Sequence, residues 1–223
     1  MQELAFGLFG GLALFLYGMQ IMGEGLQKAA GNRMKRILEV LTGIPLIGVL
    51  VGALVTSIIQ SSSATTVMTV GFVNAGLLTL KQAISVVMGA NIGTTMTAQL
   101  IAFKLTHYVL PIIAFGFIVY FLSKRKTYKY LGQVLLGFGL LMLGMQFMGD
   151  AMAPLKDYQV FLDFMTKFSK YPIMGVGVGM VMTMLIQSSS ATIGILIALA
   201  SSGLIPLEGA IPVLLGDNIG TCI

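Results

Sequence analysis

One hexapeptide, Gln-Ser-Ser-Ser-Ala-Thr, occurs twice in this chain, each time inside a strongly apolar stretch. The copies occupy residues 60–65 and 187–192, and Asn-Ile-Gly-Thr begins 31 residues after each Gln, at residues 91 and 218. Polar groups are costly to bury in apolar surroundings unless hydrogen bonds satisfy them. Their repetition at one spacing therefore predicts a paired binding site.

The composition indicates an integral membrane protein. Apolar residues make up 57% of the chain and charged residues only 9%, whereas about a quarter of the residues in a soluble domain are charged. The apolar stretches are helical in character and lack the alternation of outer-membrane barrels. We expect an all-α protein that crosses the cell membrane (inner or plasma membrane) several times. The net charge of +5 fits loops that face anionic lipid and not a nucleic acid.

The duplication extends over most of the chain. Residues 45–96 align with residues 172–223 without a gap, with 24 identities in 52 pairs. Such a long internal match describes architecture and not a local motif. We therefore predict a first repeat over residues 1–130 and a second over residues 131–223.

Both halves are expected to contain the same order of segments. Each begins with a full span, continues with a polar stretch and then has a Pro-led apolar segment that ends just before the Gln. The predicted bounds of these three segments are 4–22, 24–41 and 45–59 in the first half, and 131–148, 150–170 and 172–186 in the second. The first half also has an interrupted segment at 80–103 and a span at 108–122. A helix over residues 45–59 is about 22 Å long, too short for a hydrocarbon core of about 30 Å. Each motif is therefore expected at the tip of a re-entrant hairpin.

The basic residues predict the orientation of the halves. They cluster after the first span and before the span at residue 131, at Lys28, Arg33, Lys35, Arg36, Lys124, Arg125, Lys126 and Lys129. If both clusters are cytoplasmic, the first span and its repeat partner run in opposite directions. The chain is then an inverted-topology repeat, the pattern of secondary transporters that bind substrate at discontinuous helices.

The serine clusters predict an anion site. They combine hydroxyls and a carboxamide with the free N–H groups of a helix start, which bind anions such as phosphate. The predicted substrate ligands are Gln60, Ser61, Ser62, Ser63, Gln187, Ser188, Ser189 and Ser190. Serine and threonine in membrane helices also donate hydrogen bonds to their own helix backbone or pack against neighbouring helices. For a single serine cluster, such a structural role is the alternative to anion binding.

The Asn-Ile-Gly-Thr segments predict a cation site. Gly89, Gly93, Gly216 and Gly220 permit an unwound backbone, and carbonyl, amide and hydroxyl oxygens suit a small alkali cation. Asp217 lies deep in an apolar segment, where it would neutralise a cation or carry a proton. The predicted sodium ligands are Thr65, Thr66, Asn91, Thr94, Thr95, Thr192, Asp217, Asn218 and Thr221.

Two further patterns receive plainer interpretations. The pairs Gly48/Gly52 and Gly175/Gly179 form GxxxG, which indicates close helix packing. The single His107 has no acid neighbour, so a serine hydrolase is not supported and the chain is not expected to be an enzyme.

The chain resembles the sodium-dependent phosphate cotransporter family (Na/Pi, type II-like) in four motifs. These are QSSSATT (60–66), QSSSATI (187–193), MGANIGTT (88–95) and LGDNIGTC (215–222). The resemblance implies sodium-coupled movement of inorganic phosphate by alternating access, with phosphate at the Gln-Ser-Ser-Ser tips and sodium as the coupling ion. It also implies a homodimer in the lipid bilayer and no organic cofactor.

The second half departs from the first because it ends at Ile223, so a counterpart of residues 97–122 is missing. We expect a chain that is truncated or naturally short relative to the family pattern. The alternatives are transport of another oxyanion, proton coupling through Asp217, or a phosphate-binding membrane scaffold or sensor that does not transport.

Overall fold

The structure is a computed structural model that describes residues 2–30, 44–102, 108–158 and 171–221. Within these residues the regular elements are helices and there is no strand, which confirms the predicted all-α class. In chain order they are α1 (Gln2–Ala30), α2 (Pro45–Ile59), α3 (Ser62–Asn74), α4 (Leu80–Ala102), α5 (Val109–Leu122), α6 (Lys126–Met152), a 3₁₀ turn (Ala153–Asp157), α7 (Pro172–Ile186), α8 (Ser189–Ser201) and α9 (Leu207–Gly220).

The chain forms two compact units. Unit 1 contains residues 1–19, 104–110 and 139–223, and unit 2 contains residues 20–103 and 111–138. The long helices α1 and α6 contribute residues to both units. The predicted boundary of the sequence repeats at residue 130 describes the duplication of the chain and stays a prediction.

Each unit contains the same arrangement of three helices. In unit 2, α2 and α3 pack on α4, and in unit 1, α7 and α8 pack on α9. Pro45 and Pro172 begin α2 and α7, a position where the missing N–H of proline costs nothing. Gln60 and Gln187 end these helices in the left-handed conformation, with φ of 59° and 56°. The duplicated sequence therefore folds twice into a helix, a break and a second helix.

Glycines bring the helix backbones of each arrangement into contact. A Cβ atom at Gly52 would collide with the carbonyl oxygen of Val86, and one at Gly89 would collide with that of Val49. Equivalent contacts with carbonyl oxygens join α7 and α9 at Gly179 and Gly216. The predicted close packing of the GxxxG pairs is confirmed.

The predicted unwinding of the Asn-Ile-Gly-Thr segments is wrong. Helix α4 is continuous through Gly89 and Gly93, and α9 is continuous through Gly216. A glycine in a helix interior costs only about 1 kcal/mol relative to alanine, and here these glycines admit the neighbouring backbone. The helix breaks lie at Gln60 and Gln187 instead.

Helices α1 and α6 belong to two segments, Glu3–Ala30 and Lys126–Leu155, that are long and apolar enough to cross a membrane. They exceed the predicted spans because the first residues of each polar stretch, 24–30 and 150–152, continue the preceding helix. Residues 31–41 and 159–170 of the polar stretches lie outside the described residues. The other predicted apolar segments form shorter helices.

Candidate functional site

The two glutamines of the repeated motif close the ends of α2 and α7. The left-handed conformation costs a residue with a Cβ atom about 1–2 kcal/mol, and side-chain hydrogen bonds accompany it here. The Gln60 amide donates to the carbonyl oxygen of Ser57, and the Gln187 amide donates to that of Met184 at 2.8 Å. This capping role was not predicted from the sequence.

The first serine of each motif caps the helix that follows. Ser61 Oγ accepts a hydrogen bond from the Ala64 N–H at 3.1 Å, and Ser188 Oγ accepts one from the Ala191 N–H at 3.3 Å. The serines that follow occupy the first turn, where backbone N–H groups have no acceptor within the helix; they are Ser62, Ser63, Ser189 and Ser190. Each break therefore combines serine hydroxyls with the positive end of a helix, as an anion site requires.

The exposure of the serines differs between the two breaks. Ser62 is buried and Ser63 is exposed, whereas Ser189 and Ser190 are both buried. Ser63 therefore gives the first break an accessible hydroxyl whose counterpart in the second break is covered.

Helix α1 holds the first break through two residues one turn apart. Gln27 Nε2 donates to the carbonyl oxygen of Ile59 at 2.8 Å. A Cβ atom added at Gly23 would lie 3.3 Å from the Gln60 Cβ atom. The role of Gln27 was missed because it lies in a polar stretch that the sequence does not connect to the motif.

A buried polar cluster joins the three helices α7, α8 and α9. The Thr183 hydroxyl donates to Asp217 Oδ1 at 2.6 Å and lies 3.0 Å from the Thr192 hydroxyl. Asp217 is only 1% exposed. Its second oxygen, Oδ2, has no hydrogen-bond partner in the part of the chain that the structure describes. A buried carboxylate with one free oxygen is a candidate ligand for a cation.

The corresponding cluster of unit 2 has no acid. Thr56 donates to the Thr65 hydroxyl at 3.0 Å, Thr65 donates onward to the Ser61 carbonyl at 3.1 Å, and Ala90 occupies the place of Asp217. Thr56 and Thr183 were not among the predicted ligands. Their identity in the aligned halves was the signal that would have singled them out.

Six of the predicted sodium ligands donate hydrogen bonds to backbone carbonyl groups three or four residues earlier. Thr65 and Thr192 donate to the carbonyls of Ser61 and Ser188. The hydroxyls of Thr94, Thr95 and Thr221 and the amide of Asn218 donate to carbonyls three or four residues earlier, at Ala90, Ile92, Asp217 and Leu214. Asn91 is exposed and Thr66 is half-buried. Among the nine predicted ligands, the structure brings Thr192 and Asp217 into one cluster across helices.

The sequence of the chain matches one known family over most of its length. Residues 14–150 and 156–223 match the Na⁺/Pi-cotransporter family. The matched regions contain both serine clusters and both Asn-Ile-Gly-Thr segments.

Individual relatives differ in how much of their length the chain covers. YqeW of Bacillus subtilis is 35% identical over 212 residues, which are 95% of this chain and 69% of YqeW. YjbB of Escherichia coli, named for inorganic phosphate export, is 26% identical over 96% of this chain and 39% of YjbB. The human sodium-dependent phosphate transport protein 2B is 36% identical over 43% of this chain and 14% of that protein. No solved structure matches the chain.

Proposed function

The chain belongs to the Na⁺/Pi-cotransporter family, and on that premise we propose that it moves inorganic phosphate across a cell membrane together with sodium ions. The names of its relatives support phosphate as the substrate, and the name of the human relative supports sodium dependence. Membership of a transporter family is consistent with a membrane protein that is not an enzyme.

The observation that supports this function best is the pair of serine-capped helix starts. Helices α2, α3, α7 and α8 contain no Lys or Arg, so an oxyanion at either break is held by hydroxyls, N–H groups and helix dipoles. Each hydrogen bond to a charged group contributes roughly 1.5–3 kcal/mol. Several such bonds give selective binding that still allows release, which a transporter requires.

The proposed mechanism is alternating access by two inverted halves. In this mechanism the α2–α3 and α7–α8 pairs are re-entrant hairpins. The chain crosses the membrane several times and functions as a homodimer. Each negative charge moved against the membrane potential costs about 2.3 kcal/mol per 100 mV. Sodium ions that move with phosphate offset this cost.

Phosphate flux in proteoliposomes tests the function. Radiolabelled phosphate movement is measured with a sodium gradient and with an equal choline gradient, for uptake and for efflux, because one relative is named for export. We expect flux only with sodium. Equal flux with choline would refute sodium coupling, and phosphate binding without flux would favour the scaffold or sensor.

A further inference from the structure

The turn between α5 and α6 concentrates positive charge. Four cations lie within six residues, and all of them are exposed: Lys124, Arg125, Lys126 and Lys129. The sequence has no Asp or Glu from residue 40 to residue 149. Within the described part of the chain, the one ion pair joins Lys28 and Glu24 of α1 and uses none of these four cations. The turn therefore presents four positive charges that no described carboxylate neutralises.

Glycines hold the two helices next to this turn in backbone contact. A Cβ atom at Gly132 of α6 would collide with the backbone of Tyr120 in α5, and one at Gly116 of α5 would collide with the backbone of Leu136 in α6. Lys129 Nζ lies 5.2 Å from the centre of the Tyr120 ring, the geometry of a cation–π contact. The charges are therefore carried by a close helical hairpin, and the Tyr120 ring holds one of them against α5.

An exposed aromatic face of α5 adjoins these charges. Phe117, Tyr120 and Phe121 lie on one side of α5, at positions i, i+3 and i+4. The rings of Phe117 and Phe121 stack with their centres 5.7 Å apart, and the two residues are 52% and 74% exposed. Helix α5 contains no charged residue. Because Lys129 lies over Tyr120, the aromatic face ends where the positive charges begin.

We propose that the α5–α6 turn binds one anionic phospholipid, with its headgroup at the four cations and its acyl chains along the aromatic face of α5. Arg125 presents a planar fork that donates two parallel hydrogen bonds to phosphate oxygens, whereas the lysines act as point charges. A soluble anion would leave the aromatic face unused, and a zwitterionic lipid carries a cation of its own. A phospholipid with a net negative charge complements both surfaces.

Lipid binding to the purified full chain tests this inference and does not depend on phosphate transport. Native mass spectrometry in a neutral detergent counts bound phosphatidylglycerol, phosphatidylcholine with the same acyl chains, and glycerol 3-phosphate. We expect phosphatidylglycerol to bind saturably and more tightly than the other two. Arg125→Gln is expected to weaken this binding about fivefold, because it removes one cation from an anionic lipid surface. Lys124→Gln, a second variant in the turn, is expected to act in the same direction.

Lys81→Gln is the matched control, because Lys81 is also exposed but lies at the start of α4. It is expected to leave lipid binding unchanged, and equal weakening by Lys81→Gln and Arg125→Gln would overturn a local site. Equal binding of phosphatidylcholine would overturn the role of the cations, and equal binding of glycerol 3-phosphate would overturn the role of the aromatic face. The unfolding midpoint in lipid-free detergent shows that each variant is folded.

Discussion

At the scale of single residues, the two left-handed glutamines have different surroundings. Gln60 is half-buried, lies against Gly23 of α1 and follows a carbonyl that accepts from Gln27. Gln187 is exposed, and Ala153, which corresponds to Gln27 at a period of 126, has no side-chain donor. Helix α1 therefore stabilises the first break through Gln27, whereas Ala153 at the corresponding position cannot stabilise the second break in the same way.

Replacing Gln27 with alanine tests this support. The Ile59 carbonyl would lose its side-chain donor, so we expect the free energy of unfolding to fall by about 1 kcal/mol and the KM for phosphate to rise more than kcat falls. Gln20→Ala is the control, because the Gln20 amide bonds only to the exposed Glu24 in the described structure, at 3.3 Å. Equal effects of the two variants would contradict a role for Gln27 at the break.

Candidate ligands could be singled out from the sequence where the residue type alone limits what a side chain can do. Asp217 was singled out because an acid in an apolar segment needs neutralisation, and the structure shows it buried with a free oxygen. Thr183 was not singled out, because the hydroxyl of a threonine in an apolar helix usually donates its hydrogen bond to the backbone of its own helix. Only the fold brings its hydroxyl to a carboxylate 34 residues later.

At the scale of helices, proline predicted correctly where a helix begins, whereas the glycines of two other helices were misinterpreted. The bounds of α2, Pro45–Ile59, were predicted correctly because proline favours a helix start and the polar motif follows directly. The glycines of α4 and α9 were interpreted as breaks, although they form packing surfaces. Glycine permits both outcomes, and the neighbouring helix decides between them.

Two glycines of α7 allow the effect of helix packing on stability to be distinguished from the effect of helix propensity. A Cβ atom at Gly179 would meet the Val213 carbonyl, whereas nothing lies within 4 Å of one at Gly177. We expect Gly179→Ala to lower the free energy of unfolding by about 1–3 kcal/mol through overpacking. Gly177→Ala is expected to raise it by up to about 1 kcal/mol. Denaturation in detergent measures both, and a tolerated Gly179→Ala would contradict the backbone contact.

At the scale of the whole molecule, the proposed inversion places equivalent loops on opposite sides of the membrane. Asn74 and Ser201 are exposed, correspond at the period of 127 and end α3 and α8. With Cys222 replaced by alanine, Asn74→Cys is expected to react with an impermeant maleimide from the cytoplasmic side and Ser201→Cys from the outside. Labelling of both cysteines from one side would rule out the inversion.

The central claim is that the two serine clusters bind the transported phosphate. Its most direct test is sodium-driven phosphate uptake by proteoliposomes containing the unaltered chain, Ser62→Ala, Ser189→Ala or Ser85→Ala. Ser85 is the control because it is also a buried serine, and its hydroxyl donates to the Gln82 carbonyl of its own helix at 2.7 Å. We predict that Ser62→Ala and Ser189→Ala each abolish uptake, while Ser85→Ala preserves it at equal protein levels. Unchanged uptake in either motif variant would contradict the assignment of that serine cluster to the transported phosphate.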